Sequence, residues 1–94
     1  MDWLTTFWMD FTIADKFGIS AIKDTYPNAF AYAKTDYKYL TELVMVLNHK
    51  IWQHWDKKDM AKAEVYDRLW RETEDFALEH LKGEQLSYYL KVLD

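Results

Sequence analysis

The chain contains no cysteine among its 94 residues, which excludes disulfides, zinc–thiolate sites, iron–sulfur clusters and a cysteine nucleophile. Glycine is nearly as scarce, with two residues, and proline occurs once. Sheets and hairpins consume glycine at their turns, so this scarcity predicts helices joined by short connections. Phosphate-cradling loops fall on the same ground, because neither a Walker nor a dinucleotide fingerprint can be assembled from two glycines. Long apolar runs are missing too, and no stretch reaches the roughly 18 residues that span a bilayer. The apolar start around Trp3 to Trp8 follows an acid, and the first base is Lys16, the reverse of a secretion signal, so the expected location is cytoplasmic. Positive charge is in deficit: twelve bases against sixteen acids give a net charge of −4, which repels nucleic acid and anionic lipid.

Aromatic residues are in excess. Five tryptophans, seven tyrosines and five phenylalanines are more than a chain of this length can enclose, since it buries only roughly 60–65% of its unfolded surface. Their spacing is helical. Trp3, Leu4, Phe7, Trp8 and Phe11 form one stripe, with Asp2 a candidate N-cap; Thr12 and Asp15 resemble a capping box and Gly18 reads as a stop, so the segment is either one helix ending at Gly18 or two short ones meeting near Thr12. A second helix, capped by Ser20, carries Ile22, Tyr26, Phe30 and Ala33, and either kinks at Pro27 or restarts there. Thr35 or Asp36 opens the central helix, whose stripe is Tyr37, Leu40, Val44, Leu47, Ile51 and Trp55. Asp59 caps the last long helix, with Val65, Tyr66, Leu69, Thr73, Phe76, Ala77 and His80 inward and a stop at Gly83; Leu86, Tyr89, Leu90 and Leu93 mark a short final helix. The expectation is a single all-α domain over residues 1–94, a compact bundle of about four to five helices with long helices at 36–55 and 60–82.

Metal chemistry has little to stand on. His49, His54 and His80 include no pair at ligand spacing, and His49 and His54 are about 140° apart around a helix. No Glu-x-x-His pair is present, so no metal and no cofactor is expected. Glu42, Val46, His49 and Gln53 share a face opposite the main stripe. Glu42 and His49 could serve a small enzyme as acid and base, but no nucleophile or oxyanion donor accompanies them, and a polar strip beside a protein contact is the preferred reading. Asn48 falls within the apolar face and is expected to fix register or line a pocket. His80 reads as a hydrogen-bonded core histidine.

The last long helix turns Glu64, Asp67, Arg71, Glu74 and Asp75 away from its core face, and residues 64–79 hold six acids against two bases. Such a ridge can imitate phosphates, although Glu64 with Arg68 and Asp67 with Arg71 also suit a solvated helix. Leu78 sits in the middle of that outward face, where a solvated surface does not require it. Phase assigns Tyr37, Trp55, Tyr66 and Phe76 to the core and leaves Trp3, Phe7, Trp8, Tyr39 and Trp70 as the surplus.

The blocks DFTIADKFGISAIKDTY (Asp10 to Tyr26), YKYLTELVMVLNHKIWQHW (Tyr37 to Trp55) and LKGEQLSYYLKVLD (Leu81 to Asp94) resemble a family of small acidic proteins carried by bacterial phages and conjugative elements. Pro27 and the run Ala29 to Ala33 depart from its pattern. The resemblance implies an inhibitor of host defence of the anti-CRISPR kind, a non-enzymatic protein that binds an effector nuclease without binding nucleic acid or membrane itself. The acidic ridge and the surplus aromatics place the expected partner surface at Glu64, Asp67, Trp70, Glu74, Asp75 and Leu78, with Trp3, Phe7, Trp8 and Tyr39. A homo-oligomer using Trp3, Phe7, Trp8, Tyr39 and Val46 as its interface is the structural alternative.

Overall fold

A computed structural model of the chain describes residues 3–93, which form five helices: α1 (Trp3–Phe17), α2 (Ile19–Ala33), α3 (Tyr37–Asp56), α4 (Met60–His80) and α5 (Glu84–Leu93). No strand occurs among the described residues. The expected all-α bundle with two long central helices is present. Asp2, the candidate N-cap, lies outside the described residues.

Local chemistry accounts for most of the helix ends. Asp36 caps α3 by accepting from the Lys38 N–H at 2.9 Å, and Asp59 caps α4 by accepting from the Lys62 N–H at 3.3 Å. Between α3 and α4, Lys58 adopts φ 61°, and the Lys58 and Asp59 N–H groups return to the carbonyls of Trp55 and His54. The chain therefore reverses within three residues. α3 and α4 run antiparallel, Ile51 and Trp55 meeting Met60 and Ala63 at one end while Tyr37 and Leu40 meet Phe76 and His80 at the other. α1 and α2 lie against this hairpin, and α5 packs on α3.

Two expectations about helix limits need correction, and two alternatives are narrowed. α1 is one helix to Phe17, the first of the two readings, so Thr12 and Asp15 are not a capping box but neighbours on one helix face. α2 starts at Ile19 with Gly18 at its N-cap and no side-chain cap, which places Ser20 inside the helix. It continues through Pro27, which rules out a restart there; Pro27 is exposed, and the small residues Ala29 and Ala33 are buried. α4 ends at His80 rather than at Gly83, because Leu81 turns extended and buries its side chain.

Gly18 joins α1 to α2 with φ 111° and ψ −173°, a conformation open essentially to glycine alone. A Cβ there would meet nothing within 4 Å, so any cost of a substitution is backbone strain and not a clash. Gly18→Ala is expected to lower stability by about 1–3 kcal/mol in urea denaturation with its m-value unchanged. An equally stable variant contradicts this account of the turn.

The core gathers Phe7 and Phe11 from α1, Ile22 and Tyr26 from α2, Leu43 and Leu47 from α3, Tyr66 from α4 and Tyr89 from α5. Leu40, Val44 and Leu47 of the expected α3 stripe are buried, but the buried face departs from that stripe toward the C-terminus. In the C-terminal half the buried residues are Leu47, Lys50 and His54, with Lys50 and His54 roughly a quarter turn from the line through Ile51 and Trp55. Trp55 is accordingly exposed, and so is Asn48, which neither sets register in the core nor lines a buried pocket. Val46, expected on an outer strip, is buried, and His80 is exposed, with its ring stacked on Phe76 at 4.0 Å. Leu90 also faces outward.

Buried tyrosines tie the layers together. Thr73 Oγ1 gives its proton to the Leu69 carbonyl at 2.7 Å, so the Tyr26 hydroxyl, 2.7 Å away, is the donor that joins α2 to α4. Burial, partly opposed by Thr73 and reinforced by the Glu72 charge, pushes the Tyr26 hydroxyl up to about 12. Tyr66 and Tyr89 are raised as well, by burial first and then by the negative charges of Asp15 and Glu74 respectively. These folded-state values lie above the ordinary value of 10.0. The stability linked to them is therefore complete below about pH 10 and lost as pH rises from there toward the folded values. Absorbance at 295 nm and circular dichroism followed together should show these tyrosines ionising as helicity is lost. A single phase near pH 10 with the helices intact is the contrary result.

Candidate functional site

The residues singled out in the sequence separate into an outer ridge on α4 and an aromatic group near the start of α1. Glu64 and Asp75 are exposed on the ridge, while Asp67 and Glu74 are partly buried. Arg68 donates to Glu64 and Arg71 to Asp67, each at 2.8 Å. Burial, with the neighbouring Asp75 charge, raises the Glu74 carboxyl above its ordinary range despite Arg71. Leu78 is 49% exposed in line with these acids. Trp70 is half-buried against the core and flanks the ridge without crowning it.

The N-terminal aromatic group works mostly within the fold. Phe7 is buried, which corrects its place among the surplus residues. Trp3 packs at 5.5 Å from Phe7, 4.6 Å from Tyr32 and 5.5 Å from Tyr39, joining α1 to α2 and α3. Trp3 and Phe7 line a groove between α1 and α2, apart from the α4 ridge. With Phe7 and Val46 both in the core, the proposed oligomer interface loses two of its members. Trp8 is partly exposed, with its ring over the Lys50 ammonium at 4.2 Å and edge-on to His49 at 6.5 Å. His49 thus faces outward beside Trp8. Glu42 is half-buried two helical turns away, about 10 Å along the axis.

The tip of the α3–α4 hairpin has two unlike sides. On one, Ile51, Trp55, Met60 and Ala63 line a groove of 510 Å³ that ends on Glu64 and Asp67. Trp55 is 54% exposed and Met60 45%. Met60, Glu64, Asp67, Arg71, Glu74 and Leu78 follow one another at spacings of 4, 3, 4, 3 and 4, so the groove runs into the acidic ridge along one helix face. The sequence reading missed this junction because it placed Trp55 in the core.

On the other side lies a polar cluster centred on Asp15. Lys50 is fully buried on α3, and its ammonium donates to Asp15 Oδ2 at 2.9 Å and Thr12 Oγ1 at 2.8 Å beneath the Trp8 ring. The Tyr66 hydroxyl donates to Asp15 Oδ1 at 2.5 Å. His54, stacked on Tyr66, brings Nε2 to 3.1 Å from the same oxygen without hydrogen-bond geometry. Burial alone drives the Asp15 carboxyl up; the hydrogen bonds from Tyr66 and Lys50, with the Lys50 and His54 charges, outweigh it and hold the group below its ordinary 3.8. Lys62 closes the cluster from α4 by donating to the Asp15 carbonyl at 2.9 Å. The only signal in the sequence is that Asp15 keeps phase with Phe7 and Phe11 while Lys50 keeps phase with Leu43 and Leu47, opposite charges on two core stripes.

Among the described residues no group of three or more His, Asp or Glu side chains is placed to hold a metal ion. No helix among them is long and apolar enough to cross a membrane. Comparison with protein-family models, with curated proteins and with solved structures finds no match to this chain.

Proposed function

We propose that this chain is a non-enzymatic binding protein of a phage or other mobile element that inhibits a host nucleic-acid-targeting defence complex in the manner of anti-CRISPR proteins. The observation that carries the reading is the continuity of the Trp55–Met60 groove with the acids of α4. A half-exposed tryptophan beside a methionine supplies an apolar anchor of the kind that dominates protein interfaces. The carboxylates of Glu64, Asp67, Glu74 and Asp75 supply a field that steers a basic surface onto that anchor. A nuclease groove built for phosphates is such a surface, and carboxylates seated in it would displace the nucleic acid. The likeness of the three sequence blocks to proteins of mobile elements gives this chemistry its context.

Co-purification of the chain with candidate effector complexes, combined with an immunity assay in cells expressing it, tests the proposal. Retention on one complex with loss of immunity is the expected result. No retention on any of them, with immunity intact, overturns it.

A further inference from the structure

The side of the hairpin tip opposite the Trp55 groove is basic, although the chain as a whole is acidic. A cleft of 380 Å³ opens there between α1 and the α3–α4 turn, lined by Thr12, Asp15, Lys16, Gln53, His54, Lys57, Asp59 and Lys62. Asp15 is matched by Lys50 behind it, and Asp59 by Lys62 at 3.7 Å. Lys16 and Lys57 are exposed and have no ion-pair partner among the described residues. Two uncompensated ammonium groups therefore flank the cleft.

Its inner wall holds polar atoms that lack partners. His54 is 4% exposed, and its Nε2 makes no hydrogen bond despite lying 3.1 Å from Asp15. Gln53 Oε1 is likewise buried and unbonded. A half-turn of the Gln53 amide replaces that oxygen with an NH₂ group, and the Thr12 hydroxyl, which accepts from Lys50, retains its own proton to donate. Unpaired polar groups in the interior are costly, and an oxyanion in the cleft would accept from the His54 Nε2–H, the reoriented Gln53 amide and the Thr12 hydroxyl.

We infer that this cleft binds a phosphate group, as free orthophosphate or as the phosphate of a small monoester. Two unpaired ammonium groups match the charge of a dianion, whereas a monocarboxylate would leave one of them unmatched. Lys16 and Lys57 supply the charge, and His54, Gln53 and Thr12 supply the directed hydrogen bonds. This site shares no lining residue with the Trp55 groove, so it stands whether or not that groove binds a defence complex.

Titration of the ¹⁵N-labelled chain with orthophosphate, ribose 5-phosphate and acetate at low ionic strength tests the assignment. The expected result is saturable shifts confined to Thr12, Lys16, Gln53, His54 and Lys57, with a Kd on the order of 1 mM or tighter. Acetate should bind more weakly than either phosphate compound. Ribose 5-phosphate binding more tightly than orthophosphate assigns a monoester, and the reverse order assigns free phosphate. Lys16→Gln and Lys57→Gln, both exposed and safe for the fold, should each weaken binding about tenfold. Lys23→Gln on α2, outside the cleft, should not change it. Shifts that fail to saturate and spread over all the lysines, acetate bound as tightly as phosphate, or undiminished affinity in both cleft variants each overturn the assignment.

Discussion

Asp15→Asn is expected to cost about 3–5 kcal/mol, the largest loss from any single polar substitution in this chain. The reason is what it leaves behind. Lys50 is fully buried, and without the carboxylate its ammonium keeps only neutral partners, the Thr12 hydroxyl, the face of Trp8 and the amide oxygen that replaces the carboxylate. An uncompensated charge in the interior is among the few changes able to unfold a domain whose total stability is about 5–15 kcal/mol. Urea denaturation should show the midpoint lowered by roughly 2 M or more at the slope of a small domain. Lys50→Met added to Asp15→Asn should recover most of the loss, because an apolar chain of similar length can fill the space the charge vacates. A loss below about 1 kcal/mol, or a double variant no better than the single, contradicts this picture of the cluster.

The same residue sets an acid-side dependence. The Asp15 carboxyl is held below its unfolded value, so its contribution is present above about pH 4 and disappears as pH falls through the lower, folded value. Glu74 works in the opposite direction, since its raised carboxyl favours the folded chain on protonation. The difference in melting temperature between wild type and Asp15→Asn isolates the Asp15 part. It should be widest near neutrality and narrow steadily below pH 4.

The second large effect belongs to the groove. Trp55→Ala should weaken partner binding by about 30-fold or more, the loss of a central tryptophan anchor, and Glu64→Lys with Asp67→Lys should both weaken binding and slow association. Neither change should move stability far. Trp55 is half exposed, and the pairs of Glu64 with Arg68 and Asp67 with Arg71 are solvated i,i+4 contacts worth a few tenths of a kcal/mol each. Trp52→Ala is the matched control, because Trp52 is just as exposed and does not line the groove. Equal losses for Trp52→Ala and Trp55→Ala, measured by surface plasmon resonance against the captured complex, remove the groove from the interface.

Much of the architecture was legible in the chain because helix signals are local. Asp36 and Asp59 cap as their position before apolar periodicity requires, Gly18 marks a real junction, and the outward acids of α4 follow from spacing alone. The candidate site was legible only in part. Glu64, Asp67, Glu74, Asp75 and Leu78 form an outer face as expected, whereas Phe7 went into the core and Trp55 came out of it. Periodicity reports which face of a helix is apolar. It does not report what faces it.

Sequence by itself determined an all-helical chain, its principal caps and the acidic face of its last long helix, since each depends on residues within one or two turns of one another. Tertiary structure alone decided which face the C-terminal half of α3 buries. Lys50 and His54 enter the interior because Asp15, 35 residues away from Lys50 in the chain, meets them there with Tyr66. That satisfied charge turns Trp55 outward beside Met60 and the acids of α4. A buried lysine is unfavourable until its partner arrives, and only the packing of α1 on the α3–α4 hairpin brings that partner within 3 Å.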